Sequence, residues 1–442
     1  MALPGLMLEQ AAPVSVPLRF LLTAPWFALL AALLVLWHGP DAFASRWTPA
    51  LLGATHLLTL GFMTMVMVGA LLQMLPVLGG APVRRPGLVA GIVHPGLTLG
   101  ALLLAGGLAF GIPAAIRVAM PLLAVSFLVF LVAAVQSLLA GRLRDPALRT
   151  IALALAALAV TIPLGLTLGC ALGWDVSLRL IELTALHAGW GLLGWTVLLV
   201  AGVAQQVVPM FQATPLYPRF VGAGLGPLMI ALLTAWSAAA WLDLRAWAAV
   251  LAWLIAVAVA SFAVATLWLQ RRSRRPQRDP TFLFWRFGLV SLIAAVAVWV
   301  AAQALQWSGH LALPLALGVL TIIGFALSVI SGMLYKIVPF LLWLNLQMRV
   351  GGRPPHIKQI LPDQRGHIQL WLHGAATVTL VGAAIWRNWL TYPGAALLAA
   401  SALVLGVSLW RAWRFARRAL SGTQPLPPPS GPRRRNWKRL DP

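Results

Sequence analysis

Acidic residues are scarce in this sequence: nine Asp and Glu in 442 residues, against 32 Lys and Arg. Charged residues of both signs make up only 9% of the chain, where a soluble domain carries roughly 25%. A chain this poor in charge cannot cover a water-facing surface of its own size, and it belongs in lipid. The single cysteine, Cys170, sits inside an apolar stretch, which excludes an internal disulfide framework and any CxxC or CxxCH site. Walker, HExxH and GxSxG patterns are missing, so no hydrolase is indicated. Of the nine acids only Glu182 falls within an apolar span, near its outer end. Proton-coupled carriers and redox proton pumps need acidic or His relays across the hydrocarbon, which disfavours a proton-driven transporter and a pumping oxidase alike. The net charge of +23 mimics a nucleic-acid binder, but the basic residues lie almost entirely between and after the apolar spans, so no nucleic-acid partner is expected.

What is abundant is hydrophobic sequence, 61% of the chain with a mean hydropathy of +0.89. About 20 apolar residues cross roughly 30 Å of hydrocarbon. On that basis the sequence predicts twelve transmembrane helices: Pro17–Trp37, Trp47–Leu75, Gly87–Phe110, Val118–Ala140, Ile151–Leu172, Leu180–Val208, Val221–Leu242, Ala246–Leu269, Phe287–Leu305, Leu311–Val338, Ile368–Trp386 and Tyr392–Trp410. The first span is too long for a signal h-region and no basic residue precedes Arg19, although Ala42-Phe43-Ala44 resembles a cleavage site. Loops after odd-numbered spans carry only Arg46, Arg117, Arg179, Arg245 and Arg387, whereas the other loops and the tail carry basic clusters such as Arg271, Arg272, Arg274, Arg275 and Arg278. The positive-inside bias therefore places both termini in the cytoplasm of a bacterial inner-membrane, multi-pass protein whose main partner is the lipid bilayer. Residues 1–16 form a short leading segment. Residues 421–442, Pro-rich and basic, read as a disordered tail resting near anionic headgroups.

The most informative pattern is a recurring spacing. Gly61-x7-Gly69-x6-Pro76 reappears as Gly194-x7-Gly202-x6-Pro209 and as Gly324-x7-Gly332-x6-Pro339, on spans 2, 6 and 10. Glycine on one flank lets helix backbones approach where lipid offers no hydrophobic drive, and proline stops each helix where its missing N–H costs least. The fold class is therefore an all-α polytopic membrane protein built as three pseudo-symmetric four-helix repeats, residues 17–140, 151–269 and 287–410.

This architecture resembles subunit I of the haem-copper oxidases, and also the NnrS-type membrane proteins, haem- and copper-associated relatives linked to nitric oxide metabolism. The resemblance rests on the twelve-span, three-arc plan and on the patches Thr55-His56-Leu57-Leu58-Thr59-Leu60-Gly61-Phe62, Leu186-His187-Ala188-Gly189-Trp190-Gly191 and Tyr335-Lys336-Ile337-Val338-Pro339-Phe340. Where the oxidases have His followed by Pro-Glu on span 6, a His-His pair after span 7 and His-x-His on span 10, this chain has His187-Ala188-Gly189, no His-His pair and no His within span 10. The His-Ala-His-Glu signature associated with NnrS is missing too. What the resemblance implies is thus the scaffold, with His56 and His187 as ligands of haem or copper, and with respiratory-chain or denitrification proteins as partners. Oxygen or nitric oxide reduction at a binuclear centre is not implied.

Both histidines lie about nine residues into their spans, roughly 13 Å below the outer surface. At 100° per residue His56 lines up with Thr59, Leu60, Met63, Met67 and Met74, a thioether stripe suited to soft copper or to the walls of a haem pocket. His187 lines up with Gly191, Gly194 and Gln205, flanked by Trp190 and Trp195, a groove that would admit a flat macrocycle. The plain alternative is that methionine and glycine pack membrane helices and the histidines bridge them. Relative to the repeat glycine the two histidines are out of register by two residues. His94 and His373 form a second equivalent pair on spans 3 and 11, for which helix-bridging hydrogen bonds are the better reading. Gln73, Gln206 and Lys336 share one repeat position, three residues before each proline, and either line a polar vestibule or serve as ordinary helix-end polar groups. His38, His310, His356 and His367 read as interfacial or loop residues. Three functions compete: a haem- or copper-binding accessory protein of respiration or nitric oxide metabolism, a small-molecule or copper permease without a redox cofactor, and a structural subunit whose histidines only pack.

Overall fold

In the computed structural model, residues 8–141, 145–275, 278–349 and 355–421 are described, and they form helices and connecting turns with no strand among them. We number the long helices α1 (Ser15–Ala44), α2 (Pro49–Gly79), α3 (Pro86–Ala109), α4 (Pro113–Ala140), α5 (Pro146–Trp174), α6 (Leu180–Gln212), α7 (Phe220–Trp241), α8 (Arg245–Arg271), α9 (Pro280–Ala304), α10 (Ala312–Arg349), α11 (Asp363–Ala383) and α12 (Arg387–Leu420). Five of them start on a proline, whose fixed φ suits the first helical position, where no N–H partner is available in any case. Asp145 and Asp279 cap α5 and α9 by accepting from the amides of Ala147 and Phe282. The expected basic tail from 422 onward, the leading residues 1–7, and the loop arginines Arg142, Arg144 and Arg353 lie outside the described residues.

Eleven of these helices are long and apolar enough to cross a membrane. The twelfth expected span corresponds to α11, 21 residues long and therefore about 31 Å at 1.5 Å per residue, which falls short in hydropathy rather than in length. Its polar side chains explain why. Gln369, His373 and Thr377 occupy one face and are buried inside the bundle. Hydropathy averages over all sides of a helix and does not register which of them is buried.

Among the described residues, nine helices form a closed ring around α2, α6 and α10. In chain order α1 packs on α2, α5 on α6 and α9 on α10; α3 pairs with α4, α7 with α8 and α11 with α12. The ring is continued by α4 against α5 and α8 against α9, and closed by α12 against α1. The apolar windows of α2, α6 and α10 are 67–72% buried, against 33–50% for the other eight candidate spans, so these three are the inner helices. The glycines of the recurring spacing face the helix just before them. A Cβ on Gly69 would come within 2.6 Å of Phe20, on Gly202 within 2.9 Å of Ile151, and on Gly332 within 2.6 Å of Phe284.

Each inner helix also contains a π-helical stretch: Leu57–Thr64 in α2, Trp190–Val197 in α6 and Val319–Leu327 in α10. The stretch in α10 packs against both of the others. The i→i+5 bonding of a π turn widens the helix and leaves carbonyls to be satisfied by side chains. Thr196 Oγ1 donates to Gly191 O (3.0 Å), and His373 Nε2 donates to Ile323 O (3.0 Å). The straight-wheel alignments drawn from the sequence cross these stretches, and so they do not hold beyond them.

At one end of the bundle Asp279 receives Lys336 Nζ at 2.8 Å and also pairs with Arg275. Burial works against ionisation of this carboxyl, but Lys336, the Phe282 amide and Arg275 outweigh it and hold its pKa below the usual value. A depressed carboxyl pKa contributes stability above the unfolded value of 3.8 and loses it as pH falls through the folded one. Asp279→Asn keeps the helix cap and removes the charge, so it is expected to cost about 1–2 kcal/mol at neutral pH. Thermal unfolding in detergent checks this: the difference from wild type should shrink as pH drops below about 4.

Candidate functional site

His56 is the eighth residue of α2 and the last before its π stretch; His187 is the eighth residue of α6, three before its own. The structure brings the two rings together. Their centroids are 6.5 Å apart and their planes are inclined by only 16°. His56 Nδ1 donates to Leu52 O in the preceding turn (2.8 Å), and His187 Nδ1 donates to Thr161 O on α5 (3.2 Å). A carbonyl oxygen only accepts, so in each neutral ring the proton is on Nδ1 and the Nε2 lone pair is left for another partner. Neither Nε2 makes a hydrogen bond among the described residues, and both rings are half-buried rather than sealed in the core.

Two imidazoles pinned through Nδ1 to backbone carbonyls are the usual arrangement of metal-binding histidines, because the second hydrogen bond sets the tautomer and the ring orientation. Two metal–nitrogen bonds of about 2.0–2.1 Å, plus about 1.1 Å from each ring centre to its nitrogen, require roughly 6.3 Å between centroids. The observed centroid separation, 6.5 Å, is close to that length. No group of three or more His, Cys, Asp or Glu able to hold a metal occurs among the described residues.

The ring of His187 leans on Gly165 of α5, where a Cβ would lie 2.7 Å from Cε1. Gly165 is thus a positioning residue that nothing in the sequence singled out. Gly165→Ala is expected to push the His187 ring off the Thr161 carbonyl while leaving both histidines in the chain. Metal or haem affinity should fall by about 10–100-fold, measured by titration against wild type, with thermal stability changed by less than about 2 kcal/mol.

The other expected site residues are distributed differently. Met63 and Met67 are buried in the apolar core, and Met74 is packed against it, whereas His56 is only partly buried. The glycine groove beside His187 is filled by neighbouring helices: Gly194 abuts Ala157 and Leu233, and Gly202 abuts Ile151. Trp190 donates to Ser237 Oγ (2.9 Å), and Gln205 to Thr150 Oγ1 (3.2 Å). His94 Nε2 lies 3.0 Å from Thr23 Oγ1 of α1 and edge-on to Phe20. His373 Nε2 meets Ser328 Oγ (2.9 Å) as well as Ile323 O of α10. Both are therefore helix bridges. Lys336 is held by Asp279, the Gln73 Oε1 is buried with no partner, and no hydrogen bond joins Gln73, Gln206 and Lys336 among the described residues. His310 accepts from the Ala312 amide, His356 caps the turn Ile357–Ile360, and His367 donates to Asp363 O.

The two-residue register slip between His56 and His187 falls on Ala188 and Gly189, which are α-helical, while the five residues up to Gly61 and the five up to Gly194 are wound alike as π helix. Backbone partners such as Leu52 O and Thr161 O leave no mark in a side-chain pattern. No protein-family model matches the chain, and no curated protein matches it.

Proposed function

We propose that this protein is an integral-membrane haem- or copper-binding accessory protein, with His56 and His187 as the two ligands of one metal. The observation that carries the reading is the facing pair of half-buried imidazoles, 6.5 Å apart, each with its Nδ1 spent on a carbonyl and its Nε2 free. The scaffold we infer for it is twelve crossings in three four-helix repeats, with both termini in the cytoplasm of a bacterial inner membrane. The inward-facing polar stripe of α11, the like placement of the three π stretches and the recurrent glycine contacts all support that scaffold.

Haem iron held by two imidazoles would supply one-electron chemistry. His56 and His187 would hold that group, and both rings would be spent on holding it. The site therefore suits electron transfer or cofactor handling in respiration or nitric oxide metabolism rather than reduction of a gas. The scarcity of intramembrane acids agrees with this, since no relay of carboxylates serves a proton-consuming reaction. A second reading, a copper permease or delivery protein, is favoured by the close pair of imidazoles, since Cu(I) accepts few ligands and imidazole suits copper.

The absorption spectrum and metal content of the protein purified in mild detergent test these readings. A Soret band of low-spin type supports bis-imidazole haem. A colourless protein with one bound copper supports the permease. A colourless protein that binds neither haem nor Cu(I) on titration sinks both.

A further inference from the structure

The C-terminal end of α12 carries a cavity of about 470 Å³ lined by Trp410, Trp413, Arg414, Arg417, Arg418 and Ser421. These positions repeat at spacings of three and four, so they occupy one face of the helix. The rings of Trp410 and Trp413 are 4.6 Å apart, and the Arg417 guanidinium sits 4.9 Å over the Trp413 ring. The cation is thereby pre-oriented on an aromatic wall. No acidic residue occurs between Asp363 and Asp441, and Asp363 is paired with Lys358.

The cavity lies at headgroup depth. With 34 residues, α12 reaches about 51 Å, and even at 40° tilt about 39 Å along the bilayer normal, more than roughly 30 Å of hydrocarbon. Its last turns must emerge from the apolar layer. Above the cavity on the same face, Leu403 and Trp410 are 45% and 43% exposed, which continues the aromatic wall as an apolar track for an acyl chain. We propose that this cavity binds an anionic phospholipid, with Arg414 and Arg417 on the headgroup phosphate, Trp413 stacking Arg417 into place, and one acyl chain along Trp410 and Leu403. Basic residues at an interfacial aromatic belt are suited to that ligand. The chain's own continuation is the wrong sign, with Arg433, Arg434, Arg435, Lys438 and Arg439 against Asp441. The proposal rests on α12 crossing the membrane and is independent of the histidine site.

The test is native mass spectrometry of the full-length, delipidated protein titrated with phosphatidylglycerol or phosphatidylcholine. Wild type should retain phosphatidylglycerol about thirtyfold better, and Arg414→Gln/Arg417→Gln should weaken that retention about thirtyfold, to the phosphatidylcholine level. Arg417→Gln alone should cost about fivefold and serves if the double variant aggregates. Arg387→Gln, at the far end of α12, should leave retention unchanged. Equal retention of the two lipids by wild type, or full retention by the arginine variants, overturns the proposal. So does inorganic phosphate displacing phosphatidylglycerol, which would mark a phosphate site rather than a lipid site.

Discussion

His187→Ala, purified like the wild type, is expected to lose its haem or copper, with affinity down by well over about 100-fold, since even removal of an outer-shell partner costs 10–100-fold. The reason is arithmetic. The site offers two imidazoles and no third ligating group among the described residues, so removing one ring leaves a single bond where two were made. His56→Ala should do the same. The alanine leaves a space the size of the lost ring, so added free imidazole should restore part of the spectrum. His94→Ala and His373→Ala are the matched controls. Those rings are committed to Thr23, Ser328 and Ile323, and their loss should lower thermal stability by about 1–3 kcal/mol while the bound metal stays. A colour that survives in both His56→Ala and His187→Ala but disappears in His94→Ala would place the ligand elsewhere and end the proposed function.

The second large effect is on the fold. Gly61→Val is expected to destabilise the bundle by about 3 kcal/mol or more. A Cβ on Gly61 would overlap the ring of Phe27, which is itself buried in the core. The clash falls within the π stretch of α2, next to the π stretch of α10, so strain there reaches the centre of the ring of helices. Gly91→Ala supplies the contrast, because nothing lies within 4 Å of a Cβ at that position and the helix gains up to about 1 kcal/mol in propensity. Combining Gly61→Val with Phe27→Ala should recover part of the loss through coupling of two touching residues. Thermal unfolding in detergent of the four proteins decides it. Unchanged stability in Gly61→Val would mean that α1 does not press on α2 as described.

The histidine pair and the glycine spacing were legible in the sequence to different degrees. The glycines announced themselves by recurrence, and each does meet the preceding helix. His56 and His187 stood out as ionisable groups at equal depth in apolar spans. Their meeting at 6.5 Å was not legible, because it depends on how α2 and α6 are rotated about their axes. The straight helical wheel failed at this point: it placed Met63 and Met67 on the face of His56, whereas the π turns that follow His56 carry those side chains into the core. Gly165 gave no signal of its own, since its role is defined only by the ring it accommodates from another helix.

A composition suited to a membrane, the order of the long apolar helices and the recurring glycine–proline spacing were determined by the sequence alone. Each is a sum over 18–20 consecutive residues or a spacing along one helix, and neither sum needs to know what lies alongside. The tertiary structure alone decided which residues meet: the pairing of two imidazoles, the carbonyls that hold their protons, and the inward turn of the polar face of α11. Contacts across helices are governed by rotation and close approach between distant segments, and lipid, being as apolar as the helices, exerts no pull that a hydropathy pattern would record.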